Sequence, residues 1–395
     1  MKAYFDHNAT TPLDPVVLEA MLPYLKDKFG NASSVHEWGR DARYGVEKAR
    51  QQVARLAGVP EENLIFTSCG TESNNTVLQS VARRYAGEGC HIITSSIEHP
   101  AIYRCLSGLE SKGAVEVTYL DPDRSGVVDP AAIEDAVGPY TRLISLMCAN
   151  NETGAVQPIE QAARIAKARG ILMHSDTVQA LGKIPLDLDA IGVDFASFSA
   201  HKLYGPKGVG ALYFASREGF APLLQGGGQE MKMRPGTENV AGIVGFGAAA
   251  EIGVSVGKDE AERLGKLRDR LQRRFESEVE GTYVCAADAE RLPGTLCVCF
   301  PGVYGTYVVL DLAEEHIAVS SGSACSANKS EPSHVLLAMG IAVELAQGAV
   351  RFSIGRFITE EQVDRVAEVT ARIVARQRAH PPHLEETVDL LAICD

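Results

Sequence analysis

The sequence predicts an α/β fold: a mostly parallel seven-stranded sheet covered by helices in a large domain, plus a smaller α+β domain. Three observations predict it. From residue 15 to about 255, short apolar runs alternate with amphipathic helical stretches, the pattern of parallel strands joined by crossover helices. Seven of the apolar runs have strand length. A charged segment, 258–280, then ends the alternation, and 395 residues suffice for more than one domain.

In chain order the strands are LIFTS (64–68), HIITS (91–95), VEVTYL (115–120), RLISLMC (142–148), ILMHSD (171–176), DFASFS (194–199) and GALYF (210–214). Helical stretches such as TESNNTVLQSVARRYA and PIEQAARIAKARG lie between them, the second stopped by Gly170. VAGIVGFGAAAEIGVSVG is apolar but interrupted by Glu251, and reads as a buried helix rather than a membrane span. KDEAERLGKLRDRLQRRFESEVE (258–280) reads as a long solvated helix opening the second domain. Strands TLCVCF and HIAVSS follow, then the polar stretch SGSACSANKSEPSH, the run AVRFSIGRF, and a final helix begun by a Thr359/Gln362 capping box. The expected division is 15–257 for the large domain and 1–14 with 258–395 for the small one.

A 45% hydrophobic, 23% charged composition is that of a soluble globular protein, and a net charge of -13 without a basic tract argues against non-specific nucleic-acid binding. The start MKAYFDHNATTP has no apolar signal core, and nine cysteines without a CxxC pair suit a reducing compartment, so the expected location is cytoplasmic, with no membrane partner. Cys148, Cys297 and Cys299 sit in strand-like runs and are expected to be buried and inert. Cys325 differs: Ser321, Gly322, Ser323, Ser326 and Asn328 around it describe a surface loop, not a core.

In this architecture sites lie beyond the carboxyl ends of strands. Gly70 and Thr71 follow LIFTS at a helix start, where N–H groups and a hydroxyl suit a phosphate, or make a plain turn and N-cap. His99 follows HIITS and, taken singly, reads as a structural histidine. Asp176 ends ILMHSD with Gln179 three residues on, and a carboxylate there also caps helices. Ser199, His201 and Lys202 follow DFASFS, and a lysine amine at a strand end can form a Schiff base with a carbonyl cofactor. Pyridoxal phosphate needs such a lysine, a carboxylate for its ring nitrogen, phosphate donors and a stacking group. Lys202, Asp176, Gly70/Thr71/Ser199/His201 and His99 fill those roles; Lys207, in a Gly-Pro-Lys-Gly turn, is the rival lysine.

With these residues assembled, the chain resembles the class V aminotransferase group of fold-type-I pyridoxal phosphate enzymes, and within it cysteine desulfurases of the NifS/IscS kind. The resemblance runs through YFDHNATTP, TSCGTESNN, SIEHPA, ANNETGAVQP, HSDTVQ, SFSAHKLYGPKGVG, RPGTEN and SSGSACSANKSEPSHVL to VRFSIGRFITEE. It implies that Lys202 holds the cofactor, Asp176 pairs with the ring nitrogen and Gln179 bonds the ring hydroxyl. His99 would stack on the ring and move protons, and Gly70, Thr71, Ser199 and His201 would hold the phosphate. Thr237 would reach that phosphate from the other subunit of a homodimer. Asn151 would contact substrate or cofactor, and Arg351 would bind the substrate carboxylate; a strand-edge ion pair is the alternative for Arg351. Cys325 would take the sulfur of L-cysteine as a persulfide and pass it to an acceptor or iron–sulfur scaffold protein. No resident metal is implied, only a transient contact of Cys325 with an iron–sulfur cluster. Selenocysteine lyase, or another class V aminotransferase or lyase, shares the cofactor set and is the competing reading. Relatives often read QERGLRAGTEN where this chain has QEMKMRPGTEN, and Cys69 stands where a small residue is usual.

Overall fold

The structure, a computed structural model, describes residues 2–321 and 332–381. Cys325 and the terminal Cys394 lie outside the described residues.

All seven predicted strands join one sheet, in the spatial order Leu64–Thr67, Gly210–Phe214, Phe195–Ser199, Leu172–Asp176, Thr141–Ser145, His91–Ser95, Glu116–Leu120. Four neighbouring pairs are parallel, and Gly210–Phe214 runs antiparallel to both of its neighbours. Successive residues serve opposite faces, as the two-residue period of a strand requires. Phe66, Ile144 and Phe198 enter one apolar cluster, whereas Ile65, Leu143 and Phe195 enter the other. Each fully buried Phe, Leu or Ile contributes about 1.5–3 kcal/mol, so both faces are strongly specified. The run RLISLMC forms a strand only over Thr141–Ser145. Beyond it, Leu146 and Cys148 still donate to His174 and Asp176 carbonyls on one side, with no partner strand on the other.

The helices begin and stop on local signals. Asp14 caps Pro15–Lys26 through the Val16 N–H, with proline at the first helical position. Gly170 closes Ile159–Arg169 at φ 65°, a conformation that glycine adopts without a Cβ penalty. The capping box at Thr359 and Gln362 is formed and opens Glu360–Ala379.

A second, antiparallel sheet has the order Ser320–Ser321, Ala349–Ser353, Thr295–Cys299, Tyr283–Val284. HIAVSS is not one strand: Ile317–Ala318 pairs in parallel with Ala3–Tyr4, and after Val319 the chain changes partner to Ala349–Ser353. The apolar and charged helical stretches are likewise one element, the 39-residue helix Val240–Glu278. Its first half sends Ile243, Phe246 and Ala250 into the core of the large sheet. Its second half sends Leu264, Leu271 and Phe275 into the core around Phe300 and Phe352. The first half is long and apolar enough to pass as a membrane span by composition, but 56% of its most apolar window is buried inside the fold.

The N-terminal segment ties the two sheets together. Ser353 N donates to Phe5 O at 2.7 Å, His7 N returns to Ser353 O, and Asn8 N reaches Ser353 Oγ at 2.9 Å. Asn8 thereby arrives beside the strand ends Asp176 and Ser199.

Candidate active site

A cleft of about 350 Å³ opens at those carboxyl ends. Its walls carry Gly70, Thr71, His99, Asn151, Asp176, Gln179, Ser199, His201, Lys202 and Arg351. Thr237 is exposed and lies away from this cleft, and Cys325 is outside the described residues. Lys207 is also exposed; it borders a different surface hollow with Tyr4 and Phe357. Cys69 lines the cleft at its Gly70 edge, while Cys148, Cys297 and Cys299 are buried in the cores.

Asp176 is the last residue of its strand and is nearly covered. Asn74 Nδ2 donates to its Oδ2 at 2.6 Å, and Val178 N donates to Oδ1 at 3.0 Å. Lys202 stands in the short turn Ala200–Lys202 after its strand, and its Nζ donates to the carbonyl oxygens of Asn8 and Ala9, each at 2.6 Å. Gln179 is held at both ends: Nε2 donates to Asn8 O at 3.0 Å, and Oε1 accepts from Lys183 Nζ at 2.8 Å.

His99 combines the structural and the site reading. It caps the helix Pro100–Glu110, its Nδ1 accepting from Ala101 N at 3.1 Å. A neutral ring with Nδ1 as acceptor carries its proton on Nε2. Burial lowers the His99 pKa, the Asp176 carboxylate opposes that, and the Lys202 and His334 charges add to it. His201 bonds Thr10 Oγ1 through Nδ1 at 3.1 Å, and burial, with Lys202, Lys207 and Lys183 nearby, pulls it down to about 4. Both imidazoles are therefore neutral at physiological pH.

Arg351 sits in one of the two inner strands of the antiparallel sheet, almost fully covered. One guanidinium nitrogen donates to Asn151 O at 3.0 Å and another to Asp6 Oδ1 at 2.7 Å, while Nε has no partner among the described residues. The ion-pair reading of this arginine thus holds for part of its fork, since these two bonds use two of its five N–H donors. Ser320, just before the segment that contains Cys325, pairs with Arg351 in register. Beyond that segment Ser333 is bonded to Glu152, the neighbour of Asn151.

The phosphate end of the predicted site has two independent marks. Ser199 Oγ is buried without a hydrogen-bond partner among the described residues, a state that buried hydroxyls rarely tolerate. The helix Gly70–Arg84 starts after Cys69 with no side-chain cap, so its first N–H groups face the cleft unbridged. A Cβ added at Gly70 would stand 2.6 Å from Val178 Cγ2 and 3.7 Å from Ser199 Cβ, so only a glycine leaves this corner open.

Reasoning from sequence missed Asn8, Asn74 and Lys183. Asn74 had a signal, since it lies three residues after Thr71 on the same helix face. Asn8 had none: its partners Gln179 and Lys202 are 171 and 194 residues away.

A family model described as aminotransferase class-V matches residues 3–366. A protein of Dictyoglomus turgidum named cysteine desulfurase IscS is 45% identical over 98% of both chains. Among solved structures, a NifS-like protein superposes with a TM-score of 0.89 at 41% identity, covering 95% of this chain and all of its own. A structure described as SspA in complex with cysteine has a TM-score of 0.80 at 35% identity, covering 90% of this chain and 99% of its own. Enzymes of this family depend on pyridoxal phosphate. The residues present suit that group: an orphaned hydroxyl and an uncapped helix start for an anion, a buried carboxylate for a basic ring nitrogen, and a lysine lining the same cleft. With a model matched over most of its length and relatives aligned from end to end, the chain belongs to the class V aminotransferase family.

Proposed function

We propose that the chain is a pyridoxal-phosphate-dependent cysteine desulfurase, which converts L-cysteine to L-alanine and keeps the sulfur as a persulfide on Cys325. The observation that carries this reading is the convergence of Lys202, Asp176, His99 and Arg351, from four separate segments, on one cleft. Relatives named cysteine desulfurase at 45% identity, and the cysteine-bound structural neighbour, support it.

Gly70, Thr71, Ser199 and His201 would hold the cofactor's phosphate, with Thr237 of a second subunit. Asp176 would hold the ring nitrogen, Gln179 the ring hydroxyl, and Lys202 the aldehyde carbon. When bound, the cofactor supplies an electron sink for the carbon next to the substrate's amino group. Arg351, whose side chain lines the cleft, would bind the substrate carboxylate with its guanidinium. Lys202 Nζ would take the α-proton and return it to the same carbon once the carbon–sulfur bond has broken. Neutral His99, with Nε2 toward the cleft, passes protons to or from the substrate thiol. Cys325 attacks as thiolate: its bond to the substrate sulfur forms as the carbon–sulfur bond breaks, and the departing carbon takes up a proton to become the methyl of alanine. The register of Ser320 with Arg351 and the bond of Ser333 to Glu152 support this role, since Arg351 and Asn151, the neighbour of Glu152, line the cleft.

The same reading includes a homodimer in the cytoplasm that delivers sulfur to an acceptor or iron–sulfur scaffold protein. Phe29, Val35, Trp38 and Tyr44, close together in the sequence, are each exposed, and uncovered large apolar side chains suit a contact surface. The division into 15–257 and 1–14 with 258–395 is supported by two apolar clusters, one drawn almost wholly from the first range and one from the second, which the long helix Val240–Glu278 enters in turn. Leu292 and the cluster of Ile97, Met147 and Ala155 with Cys285, Cys297 and Val335 join the two parts.

The test is the Cys325→Ser variant of the cofactor-loaded protein. It should keep the visible band of the bound cofactor and lose sulfide release from L-cysteine. Parent-level sulfide release from the variant would remove Cys325 from the nucleophile's role.

A further inference from the structure

Lys183 is a titratable group that the reaction above leaves unused. It stands in the turn that follows Gln179, and its Nζ points inward rather than to solvent. It donates to Gln179 Oε1 at 2.8 Å and to Asn8 Oδ1 at 3.1 Å. A small cavity of about 30 Å³ adjoins it, bordered by His7, Asn8, Thr295 and the Lys202 stem. The charges that act on it are those of Lys202 and Arg351, both positive. Burial, then those two cations, pull its amine down to about 7. A turn lysine held inside, against two cations, serves something other than solubility.

The geometry points to Lys183 as a positioning residue: it holds the Gln179 amide so that the nitrogen end, not the oxygen end, serves the cleft. This rests on the reading of Gln179 as the residue that bonds the cofactor's ring hydroxyl. The two ends of an amide have nearly the same shape, so partners decide which way it faces. Here the partners are of opposite kind. Asn8 O accepts only, and it takes one Nε2 hydrogen at 3.0 Å. Lys183 Nζ donates, and it takes Oε1. A flipped amide would set oxygen against the Asn8 carbonyl and NH₂ against the lysine hydrogens, two mismatches at once. In the observed orientation the second Nε2 hydrogen remains for a group in the cleft that Gln179 lines. The Asn8 carbonyl alone is a weak guide, because Lys202 Nζ also donates to it, at 2.6 Å. Lys183 fixes the other end, and through Asn8 Oδ1 it also steadies the residue that both Gln179 and Lys202 lean on.

The test reads the pH at which the visible band of the cofactor-loaded protein titrates. A hydrogen bond donated to the ring oxygen favours its deprotonated form, so its loss moves the titration to higher pH. Gln179→Leu should shift it upward by about one pH unit. Lys183→Met should shift it in the same direction by about half a unit or more, and the double variant should match Gln179→Leu alone. Lys183→Gln keeps a donor for Oε1 without the charge and should titrate close to the parent. A parent-like Lys183→Met overturns the inference. So do additive shifts in the double variant, or a Lys183→Gln shift as large as that of Lys183→Met, since either means that the charge acts directly. A parent-like Gln179→Leu instead overturns the reading of Gln179, and the inference with it. Lys183→Ala, which joins the neighbouring cavity and admits water, repeats the series should the methionine variant fold poorly.

Discussion

Gly70→Ala isolates the cofactor cradle from the rest of the fold. Gly70 has no positive φ, so alanine meets no backbone penalty there. The single obstacle is Val178 Cγ2, which would lie 2.6 Å from the new Cβ. Ordinary contact begins near ~3.5 Å, so the valine must retreat by about 1 Å. It is β-branched and stiff, and its own N–H supports Asp176 Oδ1 at 3.0 Å. Its easy retreat is into the cleft, where the protein without cofactor has room and the loaded protein does not. Overpacking of this size costs about 1–3 kcal/mol. Taking ~2 kcal/mol, the affinity for pyridoxal phosphate should fall about 30-fold, while the melting temperature of the cofactor-free chain moves little. Absorbance titration of cofactor into the stripped protein measures the first and calorimetry the second. Adding Val178→Ala removes the clashing methyl and should restore most of the affinity. Parent-like binding by Gly70→Ala, or a double variant as weak as the single, would refute the steric argument.

Lys202→Ala should lose turnover and the visible band, and borohydride reduction of the loaded parent should label the peptide of Lys202. Label on Lys207, which is exposed and away from the cleft, would transfer the role to the rival lysine. Glu98 gives a pH-dependent stability. Burial pushes its carboxyl up to about 8, against the donors Met147 N and Ser95 Oγ and with the Asp176 charge adding to the rise. The folded chain therefore keeps a proton that the unfolded chain releases above the ordinary glutamate range. Its favourable contribution is complete at low pH and is lost as pH climbs toward 8, by about 1.4 kcal/mol per unit. Glu98→Gln retains the acceptor oxygen and removes the titration. Its stability relative to the parent should rise between pH 5 and pH 8 in urea unfolding of the cofactor-free chain. A constant difference across that range would show that Glu98 is ionised in the fold.

The strands of the large sheet were legible because they are bounded by turn residues and, except for the part-exposed edge strand Glu116–Leu120, buried on both faces. Their carboxyl ends then pointed to Lys202, Asp176 and His99 without any structural help. Two elements were misjudged for a common reason: sequence shows polarity, not partners. The charged half of Val240–Glu278 looked like a new helix because its exposed side is ionic, yet Leu264, Leu271 and Phe275 continue the buried stripe. HIAVSS looked like one strand because nothing local marks the change of partner at Val319. Asn8 and Lys183 were illegible because their roles come from long-range contacts. A lysine in a turn reads as solvated until its acceptors, Asn8 and Gln179, are seen around it.

The stitching of the first residues to the last ones has a consequence for how the protein is made. Ala3–Tyr4 needs Ile317–Ala318, and Asn8 needs Ser353 Oγ, before it can stand beside Lys202. A ribosome delivers those partners more than three hundred residues after Ala3. Until then the large sheet can fold, but the carbonyls that receive the Lys202 amine have no fixed place. Contacts of such long separation form late. A chain cut short before Ser353 would therefore lack the contact that fixes Asn8 beside Lys202.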